Sequence, residues 1–292
     1  MIMKGLIKRG GVTSGVWVCM LLACGLARSN AQIIPLTDGN STALINAASQ
    51  AGMFHWDIQG QNQLQQQWFW YGIGGGPVSS IDTLGAPTIT PKGPNEAIVT
   101  YTAPGLLSIS VDYLLTGGTI VGSGQHATAD IGESIRINNL SPNPLPLHFY
   151  QYSHFNLGGA NSDTVQLTQN ARGLFNEADQ TSPGVGLSET VTTPGANLGE
   201  VAPLGGTLAK LNSGGPVTLG PPFFAGPLGP GAVTWAFEWD FVGGANNLLL
   251  PGGSALISKD KYLDIVVPEP SAVALMILGA IGLVSRKQRP KA

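Results

Sequence analysis

Between residues 32 and 266 the apolar side chains fall mostly at alternate positions, the rhythm of strands with one buried face, and no long stretch repeats every three to four residues as a helix would. The clearest case is AVTWAFEWDF, where Val233, Trp235, Phe237, Trp239 and Phe241 share one face and Thr234, Glu238 and Asp240 the other. LSISVDYLL repeats the pattern, with Leu107, Ile109, Val111, Tyr113 and Leu115 opposite Ser108, Ser110 and Asp112. Further strands are expected at Met53 to Gln59, Gln67 to Ile73, Ala97 to Ala103, Glu133 to Leu140, Leu147 to Phe155, Asp163 to Gln169 and Ser254 to Val267. TALINAASQA, Thr42 to Ala51, reads as a short helix capped by Ser41 or Thr42.

Gly and Pro punctuate these segments. TSPGVGLSETVTTPGANLGEVAPLGG and GGPVTLGPPFFAGPLGPGA read as long surface loops, because Pro cannot serve a central strand. Many short strands between such turns predict an all-β chain, an antiparallel sandwich or jelly-roll-like domain over residues 32–266. Two smaller sandwiches split near Gly184 to Pro203 are the alternative.

The two ends differ from this middle. Residues 1–31 begin with Lys4, Lys8 and Arg9, continue through an apolar core from Val16 to Leu26 and end in Ser29-Asn30-Ala31, the layout of a signal peptide cut between Ala31 and Gln32. Both cysteines, Cys19 and Cys24, lie in this leader, so the exported domain would carry no disulfide and no thiol chemistry. Four of the 14 basic residues sit in the leader and four in the tail, leaving six against 16 acidic residues in the middle, a net of −10. Such a surface repels phosphate backbones, so no nucleic-acid partner is expected.

Candidate chemistry is sparse. His148 and His154 lie on one strand face roughly 20 Å apart, too far to share an ion, and no metal-binding spacing occurs, so neither a metal site nor a cofactor is expected. Calcium is the reservation, with oxygen ligands from Asn156, Asn161 and Asp163 or from Asp130 and Glu133, although turns contain the same residues. Glu238 and Asp240, two residues apart on one strand face, resemble the alternating acids of family-16 sandwich glycosidases, but Val242 stands where the next acid would be. No nucleophile elbow or phosphate-cradling loop is present. Exposed rings at Trp68, Trp70, Tyr150 or Tyr152 would suit stacking on a sugar; buried, they would fill the layers of a sandwich.

The tail VPEPSAVALMILGAIGLVSRKQRPKA carries a more specific pattern. Val267-Pro268-Glu269-Pro270-Ser271, an apolar run at 272–285 and a basic cluster at 286–291 with Arg286, Lys287 and Arg289 resemble the PEP-CTERM sorting signal of Gram-negative bacteria. The prolines keep the motif extended and the basic residues hold the end of a short helix on the cytoplasmic side, as a temporary inner-membrane anchor requires. The resemblance implies an exosortase-type processing enzyme as partner and a destination at the cell surface or in an extracellular polysaccharide matrix. LHFYQYSHFNLGG and WAFEWDF also look like segments of other proteins with this tail, which brings no activity. The expectation is therefore a non-enzymatic surface protein that is structural or binds glycan, with a secreted glycan-active enzyme using Glu238 and Asp240 as the alternative.

Overall fold

The computed structural model describes residues 32–220, 225–243 and 247–269. The leader with Ala31, the sorting residues Pro270 and Ser271, the run 272–285 and Arg286, Lys287 and Arg289 lie outside them. In chain order the strands are β1 (Ile33–Asp38), β2 (Ser41–Asn46), β3 (Gly52–Ile58), β4 (Gln61–Asn62), β5 (Leu64–Ile73), β6 (Val78–Ser80), β7 (Thr88–Pro91), β8 (Glu96–Ala103) and β9 (Leu107–Gly117). They continue with β10 (His126–Asn139), β11 (Leu147–Phe155), β12 (Asp163–Gln169), β13 (Phe175–Ser182), β14 (Val185–Thr193), β15 (Leu198–Pro203), the helix α1 (Gly206–Leu211), β16 (Leu228–Gly231), β17 (Val233–Phe241) and β18 (Ser254–Val266).

These strands form two nine-stranded sheets. The first runs β1-β2-β3-β5-β11-β17-β15, with β4 on β3 and β6 on β5; the second runs β16-β12-β13-β14-β18-β10-β9-β8-β7. Pairing is antiparallel except between β3 and β5, so the expected antiparallel sandwich is present, with more strands than an eight-stranded jelly roll. Strands from before and after residues 184–203 interleave in both sheets, so the split into two sandwiches does not occur. Among the described residues no helix is long and apolar enough to cross a membrane.

Three local expectations are corrected. The segment starting at Thr42 is strand β2, not a helix: Ser41, Ala43 and Ile45 point inward at period two, and pairing with both β1 and β3 outweighs local helix preference. The supposed loop after Ser182 contains β14 and β15, because Leu187, Glu189 and Val191 face the interior while Pro183, Pro194 and Pro203 stand outside the strands or at their ends. Strand β17 is buried on both faces, not one.

The core lies between the sheets. Phe69 of β5 stacks on Phe149 of β11 at 5.6 Å, Phe149 meets Trp239 of β17 at 6.0 Å, and Trp235 stacks on Phe155 at 6.5 Å. Inside this aromatic layer sits a polar group. Glu133 of β10 contacts Lys259 of β18 and lies 2.8 Å from the Lys261 ammonium, and Glu189 of β14 lies 3.5 Å from both lysines. Gln151 donates to Glu189 at 2.9 Å, and Lys259 stands 5.1 Å over the Phe69 ring. Two basic and two acidic side chains balance in a buried region, which is the condition for tolerating them there.

Candidate functional site

The second face of β5, β11 and β17 carries a different set of side chains. Registration places Gly72, His148 and Asp240 side by side, Trp70, Tyr150 and Glu238 in the next row, and Trp68, Tyr152 and Ala236 in the third. This face is covered by β6 with its following turn, by α1, which packs on β15 and β17, and by the segment from Asn212 to Gly220. The cover explains why both faces of β17 are buried, and why, of the two readings for the four rings, filling the layers is the one that holds. Trp68, Trp70 and Tyr152 are 0% exposed and Tyr150 1%. The polar edges of three of them are used internally: Trp68 Nε1 donates to Ser80 Oγ at 2.8 Å, Trp70 Nε1 to Asn212 Oδ1 at 3.2 Å, and the Tyr150 hydroxyl to the Val217 carbonyl at 2.7 Å.

His148, Glu238 and Asp240 form a compact cluster at one end of this face. His148 Nδ1 is 2.5 Å from Asp240 Oδ1 and 3.5 Å from Glu238 Oε1. An ionised Asp240 only accepts, so Nδ1–H donates to it and, in the neutral ring, Nε2 keeps the lone pair. Asn197 fixes the strand at this point, its Oδ1 accepting the Asp240 backbone N–H at 2.8 Å and its own N–H donating to the Glu238 carbonyl. The Glu238 side chain is 1% exposed, whereas those of His148 and Asp240 are 26% and 20% exposed, so the imidazole and its carboxylate partner meet solvent and Glu238 does not.

Glu238 is the electrostatically unusual group. Burial, reinforced by the Asp240 carboxylate with which it shares a hydrogen bond, pushes its pKa up to about 8, against the opposing pull of the Leu219 N–H that donates to Oε2 at 2.7 Å. It is therefore a carboxylic acid that keeps its proton near neutral pH. Burial and the neighbouring Glu238 and Asp240 also push the Tyr150 hydroxyl upward, so it stays a donor. Glu238 and Asp240 share a hydrogen bond, so no sugar oxygen or water fits between them as it would between carboxylates flanking a glycosidic bond. The arrangement suits proton exchange rather than a two-sided attack.

The same three side chains offer ligand atoms within 4.8 Å of one another, which a metal ion could use. Reading the histidines along one strand misses this, because both partners of His148 come from the neighbouring strand. Bonds of about 2.0–2.2 Å at tetrahedral angles hold ligand atoms about 3.3 Å apart, whereas His148 and Asp240 approach to a hydrogen-bond distance of 2.5 Å. As arranged, the cluster is a proton-sharing network.

The two sets of calcium candidates lie in different settings. Asp130 and Glu133 point to opposite faces of β10, the former beside Asp260 and the latter among the buried lysines. Asn156 Oδ1 accepts the Asn161 N–H at 2.9 Å, and Asp163 Oδ2 the Leu157 N–H at 3.2 Å, so these residues organise their own turn. At the sorting motif, Val267 still pairs with the loop before β10, accepting from the Gly124 N–H and donating to the Gln125 carbonyl, while Pro268 and Glu269 are exposed. Gln32, at the expected cleavage point, accepts the Ala47 N–H.

No family model matches the chain, and no curated protein matches it. Solved structures share the fold at low identity. A protein of Escherichia coli K12 described provisionally as an aldose 1-epimerase aligns at a TM-score of 0.52 and 10% identity over 80% of this chain and 99% of its own. A galactose mutarotase-like protein from Lactobacillus casei ATCC 334 aligns at 0.50 and 10% over 79% and 99%. A bacterial glucoamylase complexed with acarbose aligns at 0.51 and 9% identity, over 84% of this chain but only 32% of the glucoamylase. At these identities the likeness is one of fold.

Proposed function

We propose that this protein is a carbohydrate-active sandwich domain in which His148, Glu238 and Asp240 perform acid–base chemistry on a saccharide. The observation that carries the reading is the protonated, buried Glu238 beside the His148–Asp240 pair: a retained acid next to an imidazole oriented by a carboxylate. His148 Nε2 takes a proton from a sugar hydroxyl, Asp240 stabilises the imidazolium so formed, and Glu238 supplies a proton to an oxygen that becomes negative. Three proteins on this fold have names that refer to sugars, which supports the substrate class. The alternative is preferred here to the non-enzymatic reading because the polar cluster supports proton transfer, while the rings that would have stacked on a sugar if exposed are buried.

Export and sorting belong to the same proposal. The motif Val267 to Ser271, the run at 272–285 and the basic Arg286, Lys287 and Arg289 support delivery by an exosortase-type enzyme at the inner membrane, and from there to the cell surface or its polysaccharide.

The test is anomeric exchange of reducing sugars, followed by polarimetry, and reducing-end release from a polysaccharide panel, with full-length wild type, Glu238→Gln and His148→Asn. Loss of one positioned acid or base should slow turnover by about 10²–10⁴-fold. Wild-type protein that neither binds nor turns over any saccharide sinks the reading.

A further inference from the structure

The segment that buries Glu238 is held in an unusual way. From Asn212 to Gly220 the chain crosses the second face of β5, β11 and β17 with little of it buried: Ser213, Pro216 and Thr218 are exposed, Asn212 is exposed although its oxygen turns to Trp70, and only Leu219 and Gly220 are buried. Its grip is polar. It offers an acceptor to each aromatic donor beneath it, Asn212 Oδ1 to Trp70 and the Val217 carbonyl to Tyr150. It offers a donor to each buried carboxylate, the Leu219 N–H to Glu238 and the Gly220 N–H to Glu200 at 3.0 Å. A further bond joins the Val78 N–H to the Gly215 carbonyl at 2.9 Å. Gly205, ahead of α1, and Gly220 both hold positive φ, +87° and +130°, with open space where a side chain would stand. Both ends of the α1–strap unit thus rest on backbone that can change conformation at low cost.

A sugar hydroxyl both accepts and donates, and a sugar ring presents an apolar face that packs on aromatic rings. The strap's four contacts are those a saccharide would make with the same floor. We propose that residues 212–220 are a displaceable strap occupying, in place of ligand, a saccharide-binding floor of Trp70, Tyr150, Glu200 and Glu238. This rests on the carbohydrate reading above and specifies how its site opens and what enters. When the strap lifts, Trp70 and Tyr150 become a stacking surface with free donors, and Glu238 gains access to the substrate that His148 already meets at the rim. Glu200 and Glu238 in the floor and Asp240 at its rim outnumber the one cation nearby, Lys210, which is already bound to Glu200, so the ligand is a neutral saccharide, with uronates disfavoured.

The experiment locks the strap. In a full-length background with Cys19→Ser and Cys24→Ser, the pair Val78→Cys and Gly215→Cys joins two backbones already in contact; a Cβ on Gly215 meets nothing closer than 3.9 Å. Binding of a panel of neutral reducing mono- and trisaccharides, with trigalacturonate as charged control, is measured by calorimetry in the oxidised and reduced forms. Locking the strap removes the binding-competent population, so oxidation should weaken neutral-sugar affinity by at least about tenfold and reduction should restore it, with trigalacturonate weaker throughout. Hydrogen exchange of the unmodified protein gives an independent readout: the Leu219 and Gly220 amides should exchange well ahead of those of Tyr150 and Phe237 in the sheet. Equal affinity in both redox forms, or strap amides that exchange only with the sheet, overturns the strap and leaves the carbohydrate function standing. Absence of saccharide binding in every form overturns both.

Discussion

His148 and Asp240 are direct cross-strand partners on β11 and β17, with Nδ1 and Oδ1 2.5 Å apart, and the same pairing brings Glu238 to 3.5 Å from the imidazole. The result is one shared proton-holding group built from two adjacent strands. Its acid, Glu238, holds its proton up to about pH 8, against 4.5 for an ordinary glutamate.

A pH dependence of stability follows. The folded protein holds this proton more tightly than the unfolded chain, so the contribution is fully present below about pH 4.5 and is lost as pH rises through about 8. Within that window one proton changes stability by at most about 1.4 kcal/mol per pH unit. Glu238→Gln, which keeps a neutral polar group in place, should flatten the decline in thermal unfolding measured across the window. An unchanged slope in the variant would show that Glu238 does not titrate in this way.

The buried quartet makes a separate prediction. Glu133, Glu189, Lys259 and Lys261 are all fully buried, and burial pulls both lysines down and Glu189 up. Lys259→Met leaves Glu133 and Glu189 sharing one cation and should cost about 3–5 kcal/mol in denaturant unfolding. Adding Glu133→Gln should recover a substantial part of that loss, because the pair restores neutrality. If the double variant is no more stable than the single one, the quartet is not held by charge balance.

The sandwich and most of its strands were legible because alternation is a local signal: LSISVDYLL folds with Leu107, Ile109, Val111, Tyr113 and Leu115 inward, as its pattern says. The segment at Thr42 misled because TALIN satisfies either period over so short a run, and its neighbours β1 and β3 decided the matter. The acid–base cluster was half visible. The spacing of Glu238 and Asp240 put them on one face, but their partner His148 lies 90 residues away and is brought opposite only by strand register. The burial of Trp70 and Tyr150 was one of two readings the sequence left open, but what covers them was not legible, because the polar, Gly-rich segment 212–220 has the composition of an exposed loop.

A close backbone approach yields a steric prediction. A Cβ at Gly117, the last residue of β9, would fall 1.8 Å from the Asp38 carbonyl oxygen at the end of β1, where Asp38 Oδ2 also accepts the Gly117 N–H at 2.9 Å. No rotamer relieves a clash between a Cβ and a backbone atom. Gly117→Ala should push the β1–β2 hairpin away from β9 and destabilise by at least about 2 kcal/mol, while Gly75→Ala serves as a control for a glycine with open space around it. Equal melting of wild type and Gly117→Ala would refute the contact.

The sorting reading predicts an outcome in the cell that is independent of any sugar chemistry. Strand β18 ends at Val266, Val267 remains hydrogen-bonded to the loop before β10, and Pro268 and Glu269 follow in the open, where a processing enzyme can reach them without unfolding the sheet. Removing Ser271 to Ala292 leaves every described strand intact but takes away the apolar run and the basic cluster that would hold the chain at the inner membrane. The truncated protein should fold, retain the unfolding profile of the full chain, and appear in the periplasm or medium rather than at the membrane or cell surface. Replacing Arg286, Lys287 and Arg289 with glutamine should weaken retention while leaving the apolar run in place, which separates a charge-oriented anchor from simple hydrophobic partitioning. Fractionation that finds the truncated and full-length proteins in the same compartment would count against the tail as a sorting signal, whatever the sandwich itself does.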